Sequence, residues 1–300
     1  MSELYEIKLS VRQIILNVLM FIISLSFILP LCLIITASLA GKESLVTYGY
    51  TFFPKVVDWS AYLYIFKNPS QIINSYITTA FVSAVTCVFG TLTMCITAYP
   101  ISKKTYFAKK SVTFFIFFTM LFGGGLIPSY IVNTQYLHLG NTYWVYILPS
   151  LCSAWNIIII RTFFQGIPDS LSESAKLDGA SEWRIFFQII LPLSKPVIAT
   201  IALLTLLVKW NDWNTALLYI RDDYKYSLQY LLQRILREAE FVKEMSQNTD
   251  LAVFMENAAE LPTESIRFAM VMVAAGPMLV IFPFFQKYFA KGLTVGAVKG

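Results

Sequence analysis

A series of long apolar segments constrains this chain more than any other feature of its sequence. A helix needs about 20 mainly apolar residues to cross a membrane. Six segments meet that requirement, namely 14–39, 72–101, 112–132, 143–164, 197–220 and 266–289. Only 14% of the 300 residues are charged, against roughly 25% in soluble proteins. The sequence therefore predicts an all-α polytopic membrane protein with six transmembrane helices.

The segments are expected to form one domain over 14–290, with a short N-terminus, 1–13, and a tail, 291–300. A signal peptide is the alternative for the first segment because Lys8 and Arg12 precede it, but its apolar run exceeds the usual signal core of about 7–15 residues. The run Gly123–Gly125 predicts a break in the third segment. Close helix packing is the other interpretation of these glycines.

Basic residues predict the orientation in the membrane. The loop "SKKTYFAKK" at 102–110 and the end "QKYFAKGLTVGAVKG" contain lysines and no acid. Short loops rich in lysine lie mostly in the cytoplasm. With six spans, both termini, the 102–110 loop and the polar segment 166–196 are then cytoplasmic, and the acid-rich segment 221–265 is outside. Lysines placed in this way indicate topology and not nucleic-acid binding.

Residue types suited to catalysis are scarce. His138 is the only histidine, and the chain has no CxxC, HExxH or GxSxG pattern. We therefore expect no metal site, and a membrane enzyme is disfavoured. The phosphate-binding pattern GxxxxGK[ST] is also absent, so ATP would have to be bound by another polypeptide.

The polar segment 166–196 predicts two short helices. Pro168, Asp169 and Ser170 are typical of a helix start, and Asp178-Gly179 is suited to a helix end. A second helix is expected from Ser181 to Leu191, with four apolar residues on one face: Trp183, Phe186, Phe187 and Ile190. This elbow could seat in a groove of a soluble partner. A solvated loop that merely connects two spans is an equally good interpretation of the residues alone.

The same segment resembles the EAA signature of ABC-importer permeases, and we call 166–196 the EAA loop. The matching residues are Glu173, Ala175, Asp178, Gly179, Ala180, Phe186, Ile189, Leu191, Pro192 and Pro196. Ser174 departs from the pattern, where alanine is usual, but is also small. The resemblance implies that these residues, with Ser174, couple the chain to an ATPase through a short coupling helix, with Gly179 allowing close backbone approach.

Four further stretches resemble the carbohydrate-importer branch of MalG-like, LplC/YtcP-type permeases, so that the likeness covers nearly the whole chain. They are "LFGGGLIPSYIV", "KWNDWN", "YSLQYLLQRIL" and "QKYFAKGLTVGAVKG". The resemblance implies a type I ABC importer permease fold in a bacterial cell membrane. It also implies a permease subunit that forms half of the pore of an ATP-driven, binding-protein-dependent importer for a saccharide or oligosaccharide.

The implied partners are a homologous second permease in a heterodimer, two ATPase subunits, a solute-binding protein outside the membrane, the saccharide cargo and membrane lipids. The chain itself would be no enzyme and would bind no cofactor, since ATP and Mg²⁺ are used by the ATPase. A secondary transporter or channel is the alternative function. It would be expected to show inverted repeats, which are not evident in the sequence, and it would leave the EAA loop unexplained.

Polar residues at membrane depth indicate a cargo path near the outer end of the fifth segment. The candidates are Lys209, Trp210, Asn211, Asp212, Trp213 and Asn214, with Asn74, Asn133, Gln135 and Asn156 as weaker ones. Asn and Asp suit sugar hydroxyls and Trp suits sugar rings. The alternative is a polar patch that braces helices, or an aromatic belt at the membrane interface.

Two further expectations concern the segment 221–265 and the tail. The segment 221–265 should contain a helix over 228–241, and its external position suggests contact with the binding protein. The tail "GLTVGAVKG" resembles one that reaches between ATPase subunits, and a frayed basic end is the alternative.

Overall fold

The computed structural model describes residues 11–247 and 263–297, and these ranges are mostly helical. An isolated antiparallel bridge joins Ala40 and Val57. The predicted all-α fold is confirmed. Residues 1–10, 248–262 and 298–300 lie outside the described ranges, and with them Lys8, Lys299, Gly300 and the three acids Asp250, Glu256 and Glu260 of the acid-rich segment 221–265.

The first half of the chain contains α1 (Val11–Ser38), α2 (Lys42–Tyr48), α3 (Ser60–Ile65), α4 (Pro69–Val85), α5 (Thr91–Ser102), α6 (Lys109–Leu121), α7 (Leu126–Ile131) and α8 (Trp144–Ile147). The second half contains α9 (Ala154–Gln165), α10 (Asp169–Leu177), α11 (Glu182–Ile185), α12 (Leu191–Leu193), α13 (Lys195–Trp210), α14 (Asn214–Tyr219), α15 (Leu228–Gln247) and α16 (Thr263–Ala297). Turns of π-helix at Thr86–Gly90, Val132–Tyr136 and Phe186–Ile190 continue α4, α7 and α11, and 3₁₀ turns follow α8 and precede α15.

Three stretches of the described chain are single helices long and apolar enough to cross a membrane: Val11–Ser38, Pro69–Ser102 and Thr263–Phe284. Three more are pairs of helices bent at a short break, by 113° between Lys109–Leu121 and Leu126–Tyr136, by 44° within Trp144–Gln165 and by 81° between Glu182–Leu193 and Lys195–Trp210. Counting each pair as one span gives up to six, the predicted number, although the last pair covers 182–210 and not the predicted 197–220, and its first helix belongs to the EAA loop.

Two interruptions have identifiable local causes, namely the break between α6 and α7 and a further one between α13 and α14, which is not among the three bent pairs. Gly125 has φ +81°, a left-handed conformation that side chains disfavour, and it ends the link between α6 and α7. The predicted break at Gly123–Gly125 is thus confirmed. Within 197–220, α13 ends at Trp210, and the carboxylate of Asp212 accepts a hydrogen bond from the backbone N–H of Thr215 (3.0 Å), which starts α14.

Contacts divide the chain into two compact units. The first comprises residues 1–67 and 235–276. Its α1 exposes a nearly continuous apolar surface, with burial confined to Ala37 and Ser38 at its end. Near that end Ser265 donates a hydrogen bond to the Ala40 carbonyl (2.6 Å), and Tyr50 packs edge-on against Phe268. The apolar surface of α1 is suited to lipid.

The second unit comprises residues 68–234 and 277–300 and contains the EAA loop. Its main core joins α5, α6, α9, the EAA loop and α13 through Met94, Cys95, Ala98, Tyr99, Ile101, Ile116, Ile157, Ile160, Phe164, Ile185, Phe186, Ile190, Val197 and Ile201. The EAA loop is therefore part of the core of this unit.

The described parts of the segment 221–265 and of the tail 291–300 are both largely helical. α15 contains the predicted helix 228–241 and continues to Gln247. α16 continues beyond the predicted last span, 266–289, and through the tail to Ala297. The described part of the tail is helical; its proposed reach towards ATPase subunits stays a prediction.

Candidate functional site

The first helix of the EAA loop, α10, spans nine residues and ends at a glycine-based cap. Gly179 has φ +76°, and its N–H donates to the Lys176 carbonyl (3.0 Å). The N–H of Ala180 donates to the Ala175 carbonyl (2.9 Å). These two bonds form a Schellman motif, which satisfies carbonyls at the end of a helix and requires a left-handed residue. The predicted helix start at Asp169 and end at Asp178-Gly179 are confirmed.

Two lysines that follow α5 hold α10 in place. The Lys103 amine donates to the hydroxyl of Ser172 (2.8 Å), which is buried. Lys104 lies 3.3 Å from the Asp169 carboxylate, with 86% of its side chain exposed, so this ion pair contributes little. Burial lowers the pKa of Lys103, an effect that the nearby carboxylates of Glu182 and Asp169 oppose. Lys103 is therefore the stronger of the two anchors.

A second anchor joins the two helices of the EAA loop to α5. The Glu182 carboxylate accepts a hydrogen bond from the Tyr99 hydroxyl (2.7 Å) and forms an ion pair with Lys176. The hydrogen bond from Lys176 lowers the pKa of Glu182, and the bond from Tyr99 lowers it further, against the opposing effect of burial. Glu182 is thus held in its ionised form at the centre of this contact.

The second arm of the elbow is anchored in the core of the unit. The Ser181 hydroxyl accepts a hydrogen bond from the N–H of Arg184 (3.3 Å) and so caps α11, as predicted. Phe186 and Ile190 are buried, whereas Trp183 and Phe187 are exposed and stack on each other with 6.0 Å between ring centroids. The four residues are neighbours, as predicted, but only half of that apolar face is buried.

The residues of the EAA signature divide by exposure. Those that are exposed are Glu173, Ser174, Asp178, Gly179 and Pro192. Those that are partly buried are Ala175, Ala180, Ile189, Leu191 and Pro196, and Phe186 is buried. Leu177, outside the signature, has 90% of its surface exposed at the end of α10. The exposed helix α10 is thus followed by a second arm that is anchored in the core of the unit.

The predicted cargo-path residues separate into two groups, and the first is an internal ion pair. The Lys209 amine lies 2.7 Å from the Asp212 carboxylate, and their side chains are only 7% and 13% exposed. The same carboxylate accepts a hydrogen bond from the Thr215 hydroxyl (2.8 Å), and the Asp212 carbonyl accepts one from Ser227 (2.8 Å). Trp210 is also buried. This geometry favours the bracing interpretation for these residues.

The second group is more accessible. Asn211 and Asn214 are exposed and Trp213 is partly buried. Asn211 accepts a hydrogen bond from the Gln229 amide (3.1 Å), which ties it to α15. Asn214 instead lines a cavity of about 310 Å³.

This cavity brings together polar side chains and one aromatic ring from three regions, namely α7 with its π turn, α8 with its 3₁₀ turn, and α14. Its lining is Leu126, Ser129, Asn133, Val145, Pro149, Ser150, Asn214, Thr215, Leu218 and Tyr219. The Asn133 amide donates to the Tyr219 hydroxyl (3.3 Å), and Tyr219 stacks on Tyr130 at 5.5 Å. The weaker candidate Asn133 thus joins Asn214, whereas Asn74, Gln135 and Asn156 are not among the lining residues.

Sequence reasoning missed several residues that build both sites. Lys103 was interpreted as a topology signal, and Tyr99 as part of an apolar span. Tyr219 and Thr215 were not singled out, although hydroxyl groups within an apolar segment were the available signal. The partners of Lys103 and Tyr99 lie 69 and 83 residues away along the chain, and local patterns do not show such pairings.

Comparisons with known proteins agree with this architecture. A family model described as binding-protein-dependent transport system inner membrane component matches residues 7–295. The chain is 38% identical to the polygalacturonan/rhamnogalacturonan transport system permease protein YtcP of Bacillus subtilis (strain 168), over 91% of this chain and 93% of that protein. It is 41% identical to Protein LplC of the same organism, over 91% and 90% of the two chains.

A solved structure shares the fold. The chain superimposes with a TM-score of 0.74 and 29% identity on the crystal structure of a bacterial ABC transporter involved in the import of the acidic polysaccharide alginate, covering 92% of this chain and 95% of that chain. The chain therefore belongs to the family of binding-protein-dependent transport system inner membrane components, and it is a permease component of an importer, not an enzyme.

Proposed function

We propose that this permease imports a saccharide or oligosaccharide, and that its EAA loop transmits ATP-driven movement to the spans. The observation that carries the coupling role is the construction of the EAA loop. α10 exposes Glu173, Leu177 and Asp178, while Ser172 and Glu182 hold it to α5. A force applied to the exposed side of α10 would therefore reach the core through Phe186 and Ile190.

The ATPase is a separate subunit of the transporter, and we propose that it seats α10 in a surface groove. An isolated helix of nine residues is unstable in water, so α10 depends on its cap, its anchors and, in this proposal, the groove. ATP and Mg²⁺ are used in that subunit. Closure of two ATPase subunits would draw two such helices together and tilt the spans, which is a switch between two states biased by a ligand.

The complete transporter proposed here has a pore made of this chain and a homologous second permease, with two ATPase subunits on the cytoplasmic side. A solute-binding protein delivers the cargo from outside, and 221–265 contacts it. Both termini and the EAA loop are cytoplasmic in this arrangement, which the lysines of the 102–110 loop support.

The proposal of a saccharide cargo draws on the names of the relatives and on the cavity at Asn214. YtcP is named for polygalacturonan and rhamnogalacturonan transport, and the alginate importer also carries a polysaccharide. The cavity offers amides, hydroxyls and the ring of Tyr219. These groups suit the hydroxyls and apolar ring faces of a sugar, so Asn133, Asn214 and Tyr219 are the proposed contacts.

The coupling role is tested by changing the exposed end of α10. The permease is co-expressed with its partner permease and ATPase subunits, and co-purification and cargo-stimulated ATP hydrolysis are measured. Leu177→Asn should reduce both, because an apolar side chain in a protein groove is a typical anchor. Phe107→Asn is the matched control, since Phe107 is 95% exposed on the 102–110 loop and has no part in α10.

Normal co-purification and normal stimulated hydrolysis for Leu177→Asn would contradict the coupling role. Equal losses in both variants would show a general effect of removing exposed apolar groups. The orientation is tested separately by placing a cysteine at Ser174 in a cysteine-free background. An impermeant thiol reagent applied to intact cells should leave it unlabelled, and labelling from outside would refute the cytoplasmic placement.

A further inference from the structure

A second cavity, of about 470 Å³, lies beside the end of α5. It is lined by Ile96, Tyr99, Pro100, Lys103, Thr105, Tyr106, Glu182, Trp183 and Phe186. Its volume falls within the range of about 300–1,000 Å³ that is usual for sites of small ligands. None of the roles proposed above uses this space.

The cavity has apolar walls and a polar end. Ile96, Pro100 and Phe186 contribute aliphatic and aromatic surface, and Tyr106 and Trp183 add two amphipathic rings. Lys103 and Lys104 follow the apolar helix Pro69–Ser102 directly, and long basic side chains beside the end of a span reach the level of the polar headgroups. Tyrosine and tryptophan are enriched at this level of the bilayer. The cavity therefore has the composition expected of a site at the membrane surface.

The available charge at the polar end is positive. Glu182 already accepts hydrogen bonds from Tyr99 and pairs with Lys176. Lys103 donates to the neutral hydroxyl of Ser172 and lies over the Tyr99 ring, and within the described ranges no carboxylate is in ion-pair distance of its amine. Lys103 thus offers a partly buried positive charge to a ligand.

We propose that this cavity binds an anionic phospholipid, with an acyl chain against Phe186 and Tyr106 and the headgroup phosphate at the Lys103 amine. Basic pockets among transmembrane helices are suited to anionic headgroups, and the apolar walls suit a chain that a free phosphate does not possess. Lipid binding at this site does not require the EAA loop to couple the permease to an ATPase.

The test compares two adjacent lysines. The full-length chain is purified in detergent with equal amounts of phosphatidylglycerol and phosphatidylcholine, and the retained lipids are counted by native mass spectrometry. The wild type should retain phosphatidylglycerol preferentially. Lys103→Gln should reduce that retention about fivefold, the effect of one basic residue near a membrane surface. Lys104→Gln removes the same charge from a side chain that does not line the cavity, and it should leave retention nearly unchanged.

A further variant separates lipid binding from the stability of α10. Ser172→Ala removes the hydrogen-bond partner of Lys103 and keeps the amine, so retention should persist. Location is tested with a small fraction of brominated phosphatidylglycerol in phosphatidylcholine nanodiscs. Quenching of tryptophan fluorescence should be weaker in Trp183→Phe than in the wild type, because Trp183 lines the cavity.

Several results would overturn the proposal. They are an absence of preference for phosphatidylglycerol in the wild type, equal losses in the two lysine variants, or a loss in Ser172→Ala as large as in Lys103→Gln. Displacement of the lipid by millimolar inorganic phosphate would indicate a plain anion site. Retention by the isolated chain that disappears in the assembled transporter would show that another subunit occupies the cavity.

Discussion

The cap of α10 provides a quantitative test of the structure. Gly179 has φ +76°, and a Cβ built on it meets no atom within 4 Å. A substitution there is therefore resisted by backbone conformation and not by a steric clash. A left-handed conformation costs an L-residue roughly 1–2 kcal/mol, and β-branched residues are the least tolerant. A cost of that size changes the ratio of capped to uncapped helix by a factor of about 5–30.

Gly179→Val should therefore weaken the cap without affecting the core. The direct assay is hydrogen–deuterium exchange at residues 179 and 180, whose N–H groups make the capping bonds. Protection there should fall by about 5–30-fold, while the thermal midpoint of the protein in detergent falls by no more than a few degrees. In the assembled transporter the same variant should lower ATP hydrolysis coupled to transport.

Gly179→Asn is the matched control, because asparagine adopts the left-handed region more readily than other residues with side chains. It should keep most of the protection and most of the coupled hydrolysis. Unchanged protection in the valine variant, or equal losses in the two variants, would refute the argument from backbone conformation. Loss of protection with normal coupled hydrolysis would support the strained conformation at residue 179 and contradict a role of the cap in coupling.

Three further predictions concern the charged and polar groups of the second unit. Lys209→Met should lower the thermal midpoint in detergent, since breaking a buried ion pair costs about 3–5 kcal/mol, and adding Asp212→Asn should restore part of the loss; a single variant as stable as the wild type would contradict this. Because the pKa of Glu182 is lowered, its ionised form stabilises the folded state above its ordinary value of 4.5, and this contribution is lost as the pH falls through the lowered pKa. The stability difference between wild type and Glu182→Gln, measured by thermal unfolding across pH, should therefore be present at neutral pH and vanish in acid, and a constant difference would show that ionisation is not its cause. Asn214→Ala should reduce saccharide uptake severalfold with unchanged stability, whereas Asn211→Ala, outside the cavity, should not; equal uptake in both variants would remove the cavity from the cargo path.

The spans and the helix ends were predictable because their causes are local. Apolar runs of sufficient length suffice to place helices in a membrane, whatever their neighbours are. The break at Gly125 and the cap at Gly179 follow from the ability of glycine to adopt positive φ. Ser181 begins α11 for an equally local reason, since its hydroxyl accepts from a backbone N–H three residues later. In each case the residue and its partner lie within one helical turn or one loop.

The division of the EAA signature into exposed and buried residues could not be derived in the same way. Its spacing identified the segment, but not which of its side chains face the core. Trp183 and Phe187 were expected on the same face as Phe186 and Ile190 and remain exposed. Packing against α5 and α9 determines this outcome, and no local pattern encodes it.

The polar groups near the outer end of the fifth segment show the same limit. Six consecutive residues were predicted to act together, because they are adjacent in sequence. The structure pairs Lys209 with Asp212 and places Asn214 in a cavity with Asn133 and Tyr219, since α13 ends at Trp210 and a separate helix, α14, begins at Asn214. By itself the sequence thus determined a membrane protein of six apolar segments with a capped helix in a polar loop, because hydrophobicity and backbone conformation act over short distances. Only the tertiary structure decided which polar side chains meet, because partners such as Tyr99 and Glu182 are separated by 83 residues and are brought together by the packing of the spans.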